Sequence, residues 1–158
     1  MLYLADTNIL LRMAEPTHSM HADTLSGLAT LRARGETMCV FPQNVIEFWN
    51  VATRPAQYNG LGFTHQQAQA EVEKIERLFQ LILDVPAIYA EWKRLVLTHA
   101  VTGKQVHDAR IAAALTTHGI THLLTFNTAD FKRFTAIVAV SPAELLPPTQ
   151  PAAIPTTT

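Results

Sequence analysis

The sequence predicts an α/β protein in which helices cover both faces of a mostly parallel sheet. Short apolar runs of strand length alternate along the chain with longer amphipathic stretches of helical period. Glycine and proline residues stand at most of the joins between these segments. Strands that alternate with helices are joined by right-handed crossovers, and such crossovers make neighbouring strands parallel.

Each element is predicted from its own pattern. The runs with the length and the β-branched or aromatic content of strands are 2–5, 38–41, 81–85, 122–126 and 137–140. A helix is expected to begin at Thr7, and the amphipathic stretches predict five more, over about 18–34, 43–53, 64–79, 87–100 and 106–118. The folded domain, 1–146, should end near Leu146, because 147–158 is rich in Pro and Thr and has the composition of a disordered tail.

Composition narrows the possible classes of protein. With 158 residues, 48% of them hydrophobic and 16% charged, the chain suits a single globular domain with a sizeable core. Neither a membrane span nor a secretory signal is expected from its apolar runs. The single cysteine, Cys39, has no disulfide partner, so a reducing cytoplasm is the expected location. The net charge of −1 indicates that any contact with nucleic acid is local.

Two acidic residues follow predicted strands. Asp6 ends the first apolar run, and Asp130 lies shortly after the run 122–126. Ligands of open α/β sheets bind outside the carboxyl ends of the strands, so both positions suit a functional site. Helix capping is an alternative account of each residue taken alone. Asp6 can cap a helix that starts at Thr7, and Asn127 can cap a short helix with Asp130 at its third position.

Two further acids lie early in predicted helices. Glu47 falls outside the apolar stripe of its helix, where a lone glutamate is usually solvated. Asp108 shares the face of Ile111 and Leu115, which is expected to point toward the core. A charge on that face is costly unless it is paired or bound to a metal. The alternative for Asp108 is a favourable position in the field of the helix dipole.

Together, these four acids predict a divalent metal site. Asp6, Glu47, Asp108 and Asp130 should all reach the same edge of the sheet. Carboxylates that share a cleft repel one another, and their pKa values rise unless a cation neutralises them. Ligands that are all oxygen suit Mg²⁺ or Mn²⁺. Such an ion can polarise a phosphate and activate water.

Four segments of the chain resemble the PIN-domain nucleases, in particular the VapC toxins of bacterial toxin–antitoxin pairs. In chain order they are "LADTNILL", "NVIEFWNV", "HDARIAAAL" and "LLTFNTADFKRF", and the similarity covers about residues 1–146. The resemblance implies a three-layer α/β/α fold with a central parallel sheet of four or five strands and the run 2–5 at its centre. It further implies a metal-dependent endoribonuclease that cuts RNA, a small antitoxin partner and a homodimer.

The resemblance also implies roles for individual residues. The acids of the family fall on Asp6, Glu47, Asp108 and Asp130, and the polar positions that support them fall on Thr7, Asn8 and Asn127. No family acid falls on Asp84, although it lies near a predicted strand end. Residues that could contact RNA are Arg54 and Asn59 of the segment 51–64, and Arg12, Lys104, Arg110, Lys132 and Arg133.

Other functions fit the sequence less well or stay open. A phosphoacceptor receiver domain would carry a lysine after the last strand, where "VAVSP" has none, and a phosphatase of the haloacid dehalogenase type would carry aspartate in place of Asn8. His18 and His21 lack accompanying zinc ligands. His107 adjoins Asp108 but points away from it around the helix. A housekeeping RNA-processing nuclease and a catalytically silent PIN-like binding module remain as alternatives.

Overall fold

The computed structural model describes residues 1–146, so the predicted tail at 147–158 lies outside the described residues. The strands are β1 (Leu2–Ala5), β2 (Thr37–Val40), β3 (Gln80–Leu81), β4 (His122–Leu124) and β5 (Val138–Val140). The α-helices are α1 (Thr7–Ala14), α2 (His21–Ala33), α3 (Pro42–Thr53), α4 (His65–Leu78), α5 (Ala87–Thr98), α6 (Gln105–Thr117) and α7 (Pro142–Leu145). Two short 3-10 helices span Ala56–Tyr58 and Thr128–Phe131. Within 1–146, no helix is both long enough and apolar enough to cross a membrane.

The five strands form one parallel sheet in the order β3–β2–β1–β4–β5. The predicted parallel sheet with the first strand at its centre is therefore confirmed. Leu4 in β1 lies opposite Cys39 on one side and opposite Leu123 on the other. The chain builds β2 and β3 on one side of β1 and then crosses to β4 on the other side. This change of direction opens a crevice at the carboxyl ends of β1 and β4, where sheets of this kind bind ligands.

Each face of the sheet has its own hydrophobic core. Successive side chains of a strand point to opposite faces. Tyr3 and Ala5 pack into a core that includes Phe48 and is formed with α1, α2, α3, α4 and α7. Leu4 packs into the other core, which includes Leu115 and is formed with α5 and α6. The three-layer α/β/α architecture is thus confirmed.

The predicted helices and strands agree with the structure to within about three residues except at two places. The strand predicted over 81–85 is limited to Gln80–Leu81, because β3 is an edge strand that pairs only with β2. Leu83 and Val85 beyond it are exposed, so apolar composition there does not reflect burial. Helix α7 was not predicted, although Ser141 and Glu144 form the capping box that signals its start.

Phe48 tests the core between α3 and the sheet. Its side chain is fully buried. Phe48→Ala should lower the free energy of unfolding by about 3–5 kcal/mol, because it removes buried apolar surface and leaves a cavity. Ile46 in the same helix is 68% exposed, so Ile46→Ala should change that free energy by less than about 0.5 kcal/mol. Urea unfolding followed by circular dichroism measures both, and equal losses would contradict this packing.

Candidate active site

The structure brings the four predicted acids to the carboxyl edge of the sheet. Asp6 directly follows β1, and Asp130 lies in the 3-10 helix after β4. Glu47 lies in α3, which begins just after β2, and Asp108 lies in the first turn of α6. The negative charges of Glu47 and Asp108 act on Asp6, and those of Asp130 and Glu47 act on Asp108. The four carboxylates therefore form one electrostatically coupled group, which we call the acidic cluster.

Both carboxylate oxygens of Asp6 are held by hydrogen bonds. The backbone N–H of Thr7 donates to Oδ1 at 2.7 Å, which makes Asp6 the N-cap of α1. The Thr125 hydroxyl donates to Oδ2 at 2.7 Å, and Asn8 Nδ2 donates to the same oxygen at 3.0 Å. Asn8 is fixed in turn, because its Oδ1 accepts from the backbone N–H of Phe126 at 3.2 Å. The orientation of the Asp6 carboxylate is therefore set from both α1 and β4.

The carboxylate of Glu47 is also held at both oxygens. The Thr7 hydroxyl donates to Oε2 at 2.9 Å, and Gln43 Nε2 donates to Oε1 at 2.8 Å. Asn44 Nδ2 lies 3.4 Å from the Thr7 hydroxyl oxygen, and Asn44 Oδ1 accepts from the backbone N–H of Phe41. Thr7 thus connects two acids, since its backbone binds Asp6 and its side chain binds Glu47.

Burial and like charge disfavour ionisation of two acids of the cluster, Asp6 and Asp108. Burial raises the pKa of Asp6 to about 6, and the charges of Glu47 and Asp108 add to the increase. The hydrogen bonds from Thr125 and Thr7 act in the opposite direction on that pKa but do not offset burial. The pKa of Asp108 is raised by burial first and by the charges of Asp130 and Glu47 next. A group of this kind attracts a cation, because a positive charge relieves the repulsion.

Of the three predicted supporting residues, Thr7 and Asn8 contact the acids through their side chains. Asn127 is at the N-cap of the 3-10 helix, but its exposed side chain makes no capping hydrogen bond. Its backbone N–H donates instead to the Thr125 hydroxyl at 3.0 Å. Thr125 and Gln43 also contact the acids, and neither was predicted from the sequence. Thr125 carried a usable signal, because it is a polar residue at the carboxyl end of an apolar run, as Asp6 is.

The basic residues predicted to contact RNA lie in different settings. Lys104 is exposed and close enough for its charge to act on Asp108. Arg110 binds Gln43 and Asp84, and Arg12 pairs with Glu15. Arg54 is the C-cap of α3, and Asn59 is the C-cap of the 3-10 helix 56–58, where it has a left-handed conformation. Lys132 and Arg133 directly follow the 3-10 helix that contains Asp130. The charge of Lys104 therefore acts on a member of the acidic cluster, whereas Arg12 and Arg110 form salt bridges with acids outside it.

The acids are the residues that could hold a divalent metal. Within residues 1–146, no three or more His, Cys, Asp or Glu side chains are arranged to hold a metal ion as they stand. Mg²⁺ is commonly bound through one or two carboxylates and keeps several of its waters. The chemistry of the donor set therefore suits a hydrated divalent ion.

Cavity size does not identify this site. A cavity of about 280 Å³ is lined by one acid of the cluster, Glu47, and by Gln43, His107 and Arg110 among others. A larger one of about 680 Å³ lies between α1, α2 and α4, and apolar side chains such as that of Leu28 line much of it. The larger cavity contains no carboxylate, so the acidic cluster is the better candidate for chemistry on a phosphate.

Comparison with known proteins places the fold. No protein-family model and no curated protein matches the chain. A chain of VapBC2 from Rickettsia felis, solved bound to a DNA fragment from its promoter, is similar with a TM-score of 0.68 and 17% identity, over 89% of this chain and 98% of that one. For VapBC-1 from nontypeable Haemophilus influenzae the TM-score is 0.68 and the identity 16%, over 90% and 99% of the two chains.

A third structure is that of VapC20 from Mycobacterium tuberculosis, a toxin that cleaves the sarcin–ricin loop. Its TM-score is 0.63 and its identity 14%, over 87% of this chain and 98% of that one. At such identities the comparison bears on the fold, which is shared over nearly nine-tenths of this chain. The protein therefore has the PIN-like α/β/α fold of the VapC toxins.

Proposed function

We propose that the protein is a metal-dependent endoribonuclease that hydrolyses phosphodiester bonds of RNA, and that it is the toxin of a toxin–antitoxin pair. The observation that carries this proposal is the acidic cluster at the carboxyl edge of β1 and β4, on a fold shared with VapC toxins. One of those toxins cleaves the sarcin–ricin loop. We expect the substrate here to be single-stranded or loop RNA.

Asp6 and Asp108 are the residues that we expect to bind Mg²⁺ or Mn²⁺ directly. Both carboxyl groups have raised pKa values, caused first by burial and then by neighbouring negative charge, so both gain most from a cation. Glu47 and Asp130 would complete the site directly or through water. When bound, the ion would activate water and offset negative charge on the phosphate.

The nucleophile is expected to be water rather than a side chain. Cys39 is fully buried, and burial raises the pKa of its thiol to about 12. The hydroxyls of Thr7 and Thr125 are committed to Glu47 and Asp6 as hydrogen-bond donors. They hold carboxylates in place, which is the work of supporting groups in a preorganised site.

The alternative of a silent binding module is disfavoured by the cost of the acidic cluster. A carboxyl group whose pKa is raised destabilises the folded state whenever it is ionised. A module that only binds a partner gains nothing from Asp6, Glu47 and Asp108 acting on one another. A housekeeping nuclease would use the same site, so it differs from our proposal in substrate and partner. The antitoxin is proposed because similar solved structures are VapBC toxin–antitoxin complexes.

The first prediction concerns cleavage. Wild-type protein should cut single-stranded RNA in the presence of Mg²⁺ or Mn²⁺, and Asp6→Asn and Asp108→Asn should each lower the rate at least about 100-fold by removing ligand charge. Gel analysis of a labelled RNA, together with growth on induction, measures the effect.

Two controls accompany this experiment. Asp23→Asn removes a carboxylate from the first turn of α2, away from the acidic cluster, and should leave the rate unchanged. EDTA should abolish cutting by the wild type. Cleavage that persists in EDTA, or full activity in both variants, would show that these acids are helix caps or solvated side chains and not metal ligands.

The second prediction concerns stability and pH in metal-free protein. Folding raises the pKa of Asp6 from 3.8 to about 6, so the folded state binds the proton more tightly. Ionised Asp6 then costs stability above pH 6, and this cost is relieved as pH falls from 6 toward 3.8. Relative to Asp6→Asn, the wild type should gain on the order of 3 kcal/mol in free energy of unfolding between pH 8 and pH 4.

Urea unfolding of both proteins in EDTA measures this difference, and subtracting one from the other removes the groups that they share. A difference independent of pH would show that Asp6 is not electrostatically strained. In a separate thermal unfolding experiment at pH 8 without EDTA, Mn²⁺ should raise the midpoint of the wild type and not that of Asp6→Asn, because ligand binding stabilises only the state that binds.

The third prediction concerns assembly. We expect a homodimer by resemblance to the VapC toxins. Leu83 and Tyr89 are each about two-thirds exposed and offer apolar surface for association. Light scattering after gel filtration should give twice the 17.5 kDa mass of one chain. The mass of one chain at micromolar concentration would count against the dimer.

A further inference from the structure

We propose that Gln43 is a positioning residue that fixes the carboxylate of Glu47, and that Arg110 determines which way the Gln43 amide faces. The proposal rests on the proposed function in so far as Glu47 belongs to the nuclease site. The hydrogen bonds that carry it connect α3 and α6 with the loop after β3, so they join three separate parts of the chain.

Glu47 needs an external constraint to hold a defined position. A glutamate on a helix surface has three rotatable bonds, so its carboxylate is mobile unless something binds it. Gln43 lies one helical turn earlier in α3 and donates to Glu47 Oε1 at 2.8 Å, while Thr7 donates to Oε2 at 2.9 Å. The side chain of Gln43 is itself buried. Glu47 is therefore held between α1 and its own helix.

The partners of Gln43 all require the same amide orientation. Its Nε2 donates to Glu47 and also to the backbone carbonyl of His107 at 3.2 Å, and both of these groups can only accept. Its Oε1 accepts from Arg110 Nη1 at 2.7 Å, and a guanidinium can only donate. Turning the amide over would place acceptor against acceptor and donor against donor. Arg110 thus ensures that an N–H group faces Glu47.

Arg110 is anchored on its other side. Its Nη2 donates to Asp84 Oδ2 at 2.7 Å, in the loop between β3 and α5. The positive charge of Arg110 is therefore paired with Asp84, and the side chain of Gln43 stands between Arg110 and Glu47. A direct pair between Arg110 and Glu47 would neutralise the glutamate, whereas the uncharged amide orients it and leaves its negative charge in the acidic cluster. Asp84 thus has a structural role as the anchor of Arg110.

The first test reads the hydrogen bonds themselves. In the metal-free protein without RNA, Glu47→Ala and Arg110→Met should each shift the side-chain amide signals of Gln43 in a ¹⁵N–¹H spectrum. Gln69→Met is the matched control, because Gln69 donates to Glu73 over the same helical spacing in α4, and it should not shift them. Gln43 signals that are unaffected by the loss of Glu47 or Arg110 would overturn the proposal. This result does not depend on nuclease activity.

The second test measures cleavage. Gln43→Met keeps the approximate volume of the side chain and should lower kcat about 10- to 100-fold with KM unchanged, as expected for the loss of a group that orients a site residue. In a Glu47→Ala background the same substitution should change kcat by less than about twofold, because Gln43 acts through Glu47. Arg110→Met should also lower kcat without raising KM.

The outcomes are distinguishable. Equal losses from Gln43→Met in both backgrounds, together with a lower midpoint of thermal unfolding, would mean that Gln43 only stabilises the fold. A raised KM in Arg110→Met would mean that Arg110 contacts RNA instead. If the wild type cuts no RNA while the amide signals respond as expected, the nuclease proposal fails and the positioning of Glu47 stands.

Discussion

The pairing of β1 with β4 is the constraint on which the candidate site depends. Ala5 lies opposite Leu124, and the backbone N–H of Asp6 donates to the carbonyl of Leu124 at 3.0 Å. Asp6 and Thr125 therefore each follow directly after one of two adjacent strands, β1 and β4. The hydrogen bond between their side chains follows from the register of that pair. A slip of one residue would turn Thr125 to the opposite face of the sheet, and Asp6 Oδ2 would lose the shorter of its two hydrogen bonds.

The hydrogen-bond donors to Asp6 and Glu47 are uncharged, so these carboxylates keep their negative charge. Asp6 accepts from a backbone N–H, an amide and a hydroxyl, and Glu47 accepts from an amide and a hydroxyl. Within residues 1–146, none of the salt bridges involves Asp6, Glu47, Asp108 or Asp130. Neutral donors fix the geometry of carboxylates without cancelling their charge. The negative charge that remains adds to the effect of burial, which is the main cause of the raised pKa of Asp6 and Asp108.

Sequence reasoning succeeded where a local pattern determines position. A buried strand followed by a carboxylate places Asp6, and an apolar helical stripe places Asp108, without knowledge of the fold. It failed for Gln43 and Thr125, because their roles depend on the hydrogen bonds between Gln43 and α6 and on the register of β4. Arg110 was predicted as a residue that could contact RNA, and its role beside Gln43 was missed for the same reason. Its partner Asp84 is 26 residues away in the sequence, and nothing local connects them.

The capping role and the site role of Asp6 use different oxygens and do not exclude each other. The cap of α1 needs only Oδ1, which accepts from Thr7, whereas Oδ2 accepts from Thr125 and Asn8. Serine or asparagine caps a helix about as well as aspartate does and carries no charge to bury. At a position where burial, Glu47 and Asp108 all disfavour ionisation, aspartate is therefore the costlier cap. Capping alone does not account for a carboxylate here, and the cation that we propose would relieve the electrostatic strain on Asp6.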